Sequence, residues 1–300
     1  MSGTLTLTKG SPKWWNSSDI WVQPHGTADS GPPGVTPVAG SSYDVWVRVH
    51  NKYPDASDAG WNLFVEWAIP TAGNTPVIAA NFLNGTVSGG VVNGLPVGIV
   101  AASSYADIKC ATTWVPVYEN GGHECLIAVV YHASVIGGVP VDPGPKGSLG
   151  SLNGNSPGEK GDWSIAQHNL GVLNSGGHPI RYRFGIGGIT GAEGGVMVVA
   201  EQAPLSEIAE FLPGVPGGQT VLQHPGKVEG IGIVPSANPN AQQIEAAQPR
   251  LEGIKIPAGG HSEFTLCGIV RQGNALINVT QHLNGRVVGG ISVLVLGGTQ

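Results

Sequence analysis

The pattern of apolar and polar positions is most regular between residues 43 and 51, where Val45, Val47 and Val49 alternate with polar or amphipathic side chains. Since successive side chains of a strand point to opposite faces, this period of two predicts a β-strand with one face in a core. Short strands separated by Gly-, Pro- and Ser-rich segments are typical of a β-sandwich. Two further segments alternate in the same way, residues 19–23 and 61–69.

The end of the chain predicts a β-hairpin. Residues 275–283 and 286–296 are rich in β-branched and other apolar side chains, and Asn284-Gly285 separates them. An Asn-Gly pair favours a type I′ turn, because both turn residues adopt positive φ. We therefore expect two antiparallel strands joined at this pair.

The distribution of these segments predicts an all-β fold with two immunoglobulin-like β-sandwich domains in tandem. Residues 1–142 form the first, which contains seven of the eight tryptophans, and residues 162–300 form the second, which ends in the hairpin. Residues 143–161 are mostly Gly, Pro, Ser, Asn and charged residues, which is typical of a linker or a long surface loop. A chain of 300 residues is long enough for two separate cores.

Composition changes this picture mainly by showing how little charge the surface carries. Only 11% of the residues are charged, against roughly 25% in an ordinary soluble protein. The 48 Gly and 23 Pro accompany 41% hydrophobic residues, so that the chain has enough apolar content to fold. A polar but weakly charged surface favours an extracellular or assembly protein.

Charge and hydropathy also exclude some classes of partner. The net charge is −6 and no Lys/Arg cluster is present, so the footprint that neutralises nucleic-acid phosphates is missing. No apolar run approaches the ~20 residues that a membrane-spanning helix needs. The first residues alternate as a strand does and lack the basic and apolar regions of a signal peptide.

Three segments together resemble a known family. Residues 18–22 (Ser-Asp-Ile-Trp-Val), 43–51 and 61–67 resemble immunoglobulin-like domains of bacterial surface proteins. The type they resemble is the cell-adhesion-related domain of bacteria, in which an Asn ends the second of these strands, as Asn51 does here. The resemblance covers residues 17–140. It implies a non-catalytic spacer, adhesion or assembly role at the cell surface or outside the cell, although such proteins carry a signal peptide.

Trp14 and Trp15 are candidate contacts for a ligand or partner. Adjacent residues of a strand point to opposite faces, so one of the two rings should face solvent, a ligand or another chain. An exposed Trp ring could stack on a sugar.

The loop between the second and third predicted strands contains Asp55, Ser57 and Asp58. Oxygen ligands at this spacing could hold Ca²⁺, the one cofactor that the sequence suggests. The alternative, which we favour, is a turn in which these side chains bond to their own backbone.

Cys110 and Cys125 lie on either side of residues 119–122, which could form a hairpin turn. If the flanking strands pair, the two cysteines could form a disulfide, which would indicate an oxidising compartment. Two separate buried thiols are an equal alternative.

The chemical motifs of common enzymes are missing. The sequence has no Gly-x-Ser-x-Gly, no His-Glu-x-x-His and no Walker loop, and its nine histidines show no ligand spacing. We therefore predict a non-catalytic structural or interaction protein that associates with itself or with another surface protein. Strand addition by residues 2–8 and 286–296 would explain association without a side-chain motif. A carbohydrate-binding module is the alternative, and an enzyme with a metal site built from distant residues comes third.

Overall fold

The structure is a computed structural model whose described residues are mostly in β-strands, and it confirms the all-β sandwich prediction. The described residues up to His168 form one compact unit, and those from Asn169 onward form a second. No helix among the described residues is long and apolar enough to cross a membrane. The described residues are 3–8, 15–32, 34–35, 37, 40–68, 82–88, 91–116, 125–133, 139–140, 163–187, 195–204, 206, 223–257 and 261–298.

The first unit contains two larger antiparallel sheets and a small one. Its strands are β1 (Leu5–Thr6), β2 (Ile20–Pro24), β3 (Tyr43–Asn51), β4 (Trp61–Ala68), β5 (Phe82–Asn84), β6 (Thr86–Ser88), β7 (Val91–Asn93), β8 (Leu95–Pro96), β9 (Ser104–Lys109), β10 (Cys125–His132), β11 (Val139–Pro140) and β12 (Trp163–His168). In the first sheet, β3 pairs with β9 along one edge and with β1 and β2 along the other. In the second sheet, the order is β12-β10-β4, and the far edge of β4 pairs with β5 and β8. The third sheet has the order β11-β7-β6.

The core of the first unit confirms the predicted alternation of β3. Val45, Val47 and Val49 are fully buried in one apolar cluster, whereas the residues between them lie on the outer face of the sheet. Leu63 and Val65 of β4 belong to the same cluster, as the alternation of that strand predicts. The burial of these β-branched side chains fixes the register, because a slip by one residue would move all of them to the outer face.

The second unit consists of a five-stranded and a three-stranded sheet around one core. The strands are β13 (Leu170–Asn174), β14 (Pro179–Gly187), β15 (Val196–Gln202), β16 (Val228–Val234), β17 (Arg250–Ile254), β18 (His261–Val270), β19 (Asn274–Leu283) and β20 (Arg286–Leu296). The larger sheet has the order β13-β20-β19-β15-β17 and the smaller has the order β14-β18-β16. A short helix, α1 (Ala241–Glu245), begins at a capping box formed by Asn240 and Gln243.

The predicted C-terminal hairpin is present. β19 and β20 pair from Asn274↔Leu296 to Leu283↔Arg286. Asn284 (φ 51°) and Gly285 (φ 76°) both have positive φ, as a type I′ turn requires.

The two terminal strands are already paired within their own units. β1 pairs with β3, and Leu5 and Leu7 lie in the core of the first unit. β20 pairs with β19 on one side and with β13 on the other, so that it is a central strand. Over Ser292–Leu296 both hydrogen-bonding edges of β20 are therefore occupied, which opposes strand addition there, whereas strand addition by residues 286–291 stays a prediction.

The strand that we expected to open the second domain, β12, pairs with β10 of the first unit over six residues. The unit that we expected to begin at residue 162 therefore contains described residues only from Asn169 onward. The predicted linker, residues 143–161, lies outside the described residues, so the domain boundary stays a prediction.

Candidate functional site

The outer face of the first sheet carries a group of aromatic and charged side chains. Trp46, Arg48 and His50 of β3 alternate with the core valines and therefore point away from the core. The register of β9 places Asp107 opposite Arg48 and Tyr105 opposite His50 on this same face. Neighbouring strands thus bring together residues that are more than 50 positions apart in the sequence.

Arg48 is the centre of this group. Its Nε and Nη2 donate to the two carboxylate oxygens of Asp107 at 2.7 Å each, which is the bidentate geometry of a strong ion pair. Its Cζ lies 4.0 Å from the centroid of the Tyr105 ring and 5.5 Å from that of the Trp21 ring, within cation–π range. The hydrogen bonds to Asp107 raise the pKa of Arg48, so the side chain stays charged.

Two tryptophans form the base of the group. The rings of Trp21 and Trp46 stack with centroids 6.4 Å apart and planes inclined by 11°. Trp21 Nε1 donates to the Asp29 carboxylate at 3.0 Å, and Trp46 Nε1 is buried without a partner among the described residues. The stacked pair therefore lies beside Arg48, which contacts it through the Trp21 ring.

Two other carboxylates near this face, Asp19 and Asp44, also form hydrogen bonds or ion pairs within the first unit. Asp19 accepts from the Thr8 backbone N–H and lies 2.9 Å from Nε2 of His50, which ties the N-terminal segment to β3. Asp44 lies 2.7 Å from Nζ of Lys109 and 2.8 Å from Nδ1 of His25.

These contacts change the ionisation of Asp44. Burial raises its pKa, but the hydrogen bonds from Lys109 and His25 lower it by more. The Gly26 N–H acts in the same direction, and the pKa falls from 3.8 to about 2. Asp44 is therefore a carboxylate at all ordinary pH values, and it keeps Lys109 paired.

The side chain of Asn51 joins two loops at one end of the sheet, residues 52–60 and residues 97–103. Its Nδ2 lies 2.9–3.1 Å from three carbonyl oxygens, those of Asp55, Val100 and Ala101. Its Oδ1 accepts from the Tyr53 N–H at 3.1 Å. Asn51 is buried, so these bonds satisfy backbone groups that water does not reach.

The loops that Asn51 joins carry exposed apolar side chains. The exposed fractions of Tyr53, Ile99 and Tyr105 are 47%, 68% and 53%. The Ser103 N–H donates to the Tyr53 carbonyl at 2.9 Å, which links the first loop to the start of β9. Ser103 has a positive φ of 50°, a costly conformation for a residue other than Gly. We call Tyr53, Ile99, Tyr105 and the Arg48–Asp107 pair the Tyr105 surface.

The structure describes Trp15, one of the two predicted contact residues, but not Trp14. Trp15 is buried, with 2% of its surface exposed, so its ring is not available for a sugar or a partner. Trp14 lies outside the described residues, and its role stays a prediction.

Two of the predicted Ca²⁺ ligands, Ser57 and Asp58, make hydrogen bonds to different parts of the chain. The Ser57 hydroxyl accepts from the Val100 N–H at 2.8 Å, whereas Asp58 accepts from the Gly60 N–H at 2.8 Å and lies 2.9 Å from Nε2 of His132. The carbonyl of Asp55 accepts from Asn51. Within the described ranges, no three His, Cys, Asp or Glu residues are grouped as metal ligands would be. Of these contacts, only the bond from the Gly60 N–H to Asp58 is a local turn bond of the kind that we favour, and the Ca²⁺ site stays a prediction.

Cys110 and Cys125 are free, buried thiols. Cys110 follows β9 of the first sheet and packs in the core, whereas Cys125 lies on β10 of the second sheet. Leu126, the next residue of β10, points into the core, so Cys125 points to the opposite face and accepts from Gln167 Nε2 at 2.8 Å. Burial raises the pKa of both thiols. Among the described strands, β9 pairs with β3 and β10 pairs with β4 and β12, so the two cysteines match the alternative of separate buried thiols.

Two clefts lie among the described residues of the second unit. One of about 280 Å³ lies on the outer face of the smaller sheet beside Arg181 and Arg183. The other, of about 1090 Å³, is lined by amide side chains and glycine backbone, including Asn174, Gln272 and Gly297.

The residues of the Tyr105 surface were not found from the sequence. The alternation of β3 places Arg48 on the outer face, but it does not say which strand lies beside it. No local signal connects Arg48 with Asp107, 59 positions away. Asn51 alone had a signal, since the resemblance places an Asn at the end of this strand.

Comparisons with known proteins give only weak likenesses. No protein-family model matches the chain, and no curated protein sequence matches it. The tip adhesin CupB6 from Pseudomonas aeruginosa is similar over 99% of this chain and 99% of its own, with 10% identity and a TM-score of 0.21. A mutant of the CFA/I adhesin CfaE of enterotoxigenic E. coli is similar over 100% of this chain and 94% of its own, with 7% identity and a TM-score of 0.19. Both TM-scores are below 0.5, so neither likeness indicates the fold or the function of this chain.

Proposed function

We propose that this chain is a non-catalytic structural protein that associates with a second copy of itself through β9 and the Tyr105 surface. The observation that carries the proposal is the exposure of Tyr53, Ile99 and Tyr105 beside an Arg–aromatic stack. Tyr and Arg are enriched where protein interfaces gain most of their binding energy. Asn51 holds the loops that carry Tyr53 and Ile99, and the Arg48–Asp107 pair holds β9, which carries Tyr105, so little conformational entropy is lost on binding.

The backbone of β9 supports the same proposal. Among the described strands, β9 pairs only with β3. The Cys110 N–H donates to the Val45 carbonyl. Because hydrogen-bonded and non-hydrogen-bonded pairs alternate in an antiparallel ladder, the N–H groups of Tyr105, Asp107 and Lys109 face the free edge. A strand that adds there satisfies these groups.

The charges of β9 do not protect this edge as charges usually do. Charged side chains on an edge strand normally discourage pairing with another chain. Here Asp107 is neutralised by Arg48, and Lys109 is paired with Asp44. An antiparallel pair of β9 strands centred on Asp107 would place each Tyr105 opposite the Lys109 of the other copy, which makes the edge self-complementary.

The resemblance to cell-adhesion-related domains supports a role in surface assembly or adhesion. The Cys110–Cys125 bridge that would have indicated an oxidising compartment is not formed. The proposed cell-surface location therefore depends on the resemblance alone.

The test is the oligomeric state of the full chain as a function of concentration, measured by sedimentation velocity and light scattering. We expect a dimer that dissociates on dilution. Tyr105→Pro removes an edge N–H without removing a hydrogen bond to β3, so it should abolish the dimer, and Ile99→Asp should weaken it. Leu95→Asp changes an exposed apolar residue of β8, in the second sheet, and should have no effect.

Two results would overturn the proposal. One is a strictly monomeric chain at all concentrations. The other is a dimer that Tyr105→Pro and Leu95→Asp leave equally unchanged. A melting temperature close to that of the unmodified chain shows that each variant is folded.

A further inference from the structure

The cleft beside Arg181 and Arg183 has the chemistry of an anion site. Both residues belong to the edge strand β14, two positions apart, so their side chains leave the same face of the sheet. The register places Arg181 opposite Cys267 and Arg183 opposite Thr265 of β18. Tyr182 between them is buried in the core, which confirms that both arginines point outward.

The opposite wall of the cleft is the loop after β16. The Thr265 hydroxyl donates to the Ser236 carbonyl at 2.7 Å and so holds this loop against the sheet. The Asn238 N–H donates to the Ser236 hydroxyl at 3.2 Å, which leaves the exposed amide side chain of Asn238 at the cleft. Ala237 and Pro239 add an apolar surface.

The guanidinium donors in the cleft are only partly used. Arg181 forms no hydrogen bond or ion pair with any residue that the structure describes. Arg183 contacts Glu263 through Nη2 at 3.1 and 3.2 Å, and its buried Nε has no partner among the described residues. Two arginines and one glutamate leave a local charge of about +1, in a chain whose net charge is −6.

We propose that this cleft binds the acidic group of a saccharide, with Arg181 and Arg183 on the oxyanion. Planar guanidinium groups bind carboxylate and sulfate through paired hydrogen bonds. The cleft volume of about 280 Å³ is close to the lower limit of small-molecule pockets, roughly 300 Å³. The Asn238 amide can serve sugar hydroxyls, and Pro239 can contact the C–H face of the ring.

The experiment measures binding to the full chain by isothermal titration calorimetry and by NMR chemical-shift changes. The probes are glucuronate, glucose and inorganic sulfate. We expect glucuronate to bind at least tenfold more tightly than glucose or sulfate. Arg181→Ala should weaken glucuronate binding at least tenfold, and Arg181→Lys should restore only part of it, because Lys cannot make the paired contact. Arg250→Ala removes an exposed arginine elsewhere in the same unit and should change nothing.

Each alternative result contradicts a stated part of the proposal. Equal binding of sulfate and glucuronate would mean a bare anion site with no saccharide contact. Glucose binding as tight as glucuronate binding would mean that the arginines do not bind the carboxylate group. Binding that Arg181→Ala leaves unchanged would place the ligand elsewhere. The same titration on the Tyr105→Pro variant should give the unmodified result, since this cleft does not depend on dimer formation.

Discussion

Arg48 and Asp107 face each other across β3 and β9 and share two hydrogen bonds of 2.7 Å. Only 20% of the Arg48 side chain and 21% of the Asp107 side chain are exposed, because the Tyr105 and Trp21 rings cover the guanidinium. The pair is thus more protected than an ordinary surface ion pair, and it fixes the strand that carries the exposed Tyr105.

The two faces of β3 should respond very differently to substitution. Val47→Asp puts an unpaired carboxylate into the core and should lower the free energy of unfolding by several kcal/mol. Arg48→Ala removes a partly buried ion pair and should cost about 1 kcal/mol. Urea unfolding followed by Trp fluorescence measures both. Equal losses would contradict the assigned register.

Asn51 should contribute much more to stability than Asn62 of the same unit. Asn51→Ala leaves buried backbone groups of both loops without partners and should cost about 2–3 kcal/mol. Asn62 donates a single side-chain hydrogen bond to Gly60, and Asn62→Ala is the matched control, with an expected cost below about 1 kcal/mol. Hydrogen exchange should show faster exchange at residues 52–60 and 97–103 only in Asn51→Ala. Unchanged exchange there would show that Asn51 does not hold the loops.

Asp44 should make the first unit sensitive to acid. Its pKa is about 2 in the folded chain and lies below the ordinary value of 3.8, so the unfolded chain binds the proton first as the pH falls. The stability that Asp44 contributes is therefore complete above about pH 4 and is lost as the pH falls towards 2. In Asp44→Asn this part of the pH dependence should disappear.

The measurement for Asp44 is urea unfolding at several pH values between 2 and 6. The unmodified chain and Asp44→Asn should differ most at pH 6 and least at pH 2. Asp55→Asn, a change in an exposed loop, controls for the general loss of negative charge. Parallel stability curves for the unmodified chain and Asp44→Asn would contradict the assigned role of the Lys109 and His25 contacts.

Limited proteolysis should cut first within residues 144–161, as the linker prediction requires. Because β12 pairs with β10, a cut there leaves the strand Trp163–His168 on the C-terminal fragment although it belongs to the sheet of the first unit. The two fragments should therefore elute together under native conditions and separate in urea. Fragments that separate without urea would contradict the β10–β12 pairing, and a first cut within 43–68 would contradict the strand assignments.

Much of the local structure could be predicted, because it depends on residues that are close in the chain. The period-two alternation predicts the core face of β3, and Asn284-Gly285 predicts the turn of the hairpin. The Tyr105 surface could not be predicted, because it requires the pairing of β3 with β9. Strand pairing depends on the packing of whole sheets, which no window of adjacent residues contains.

The sequence by itself determined the all-β class, the face of each alternating strand and the C-terminal hairpin, since side-chain period and backbone φ are local properties. Only the tertiary structure decided the neighbours of each strand. It placed Cys110 and Cys125 in different sheets, paired β12 with the first unit and buried Trp15. It also occupied both edges of β20 over Ser292–Leu296, and among the described strands it paired β9 with β3 alone. The physical reason is that backbone hydrogen bonds between strands are alike for every sequence, so that the choice of partner follows from which apolar faces can share one core.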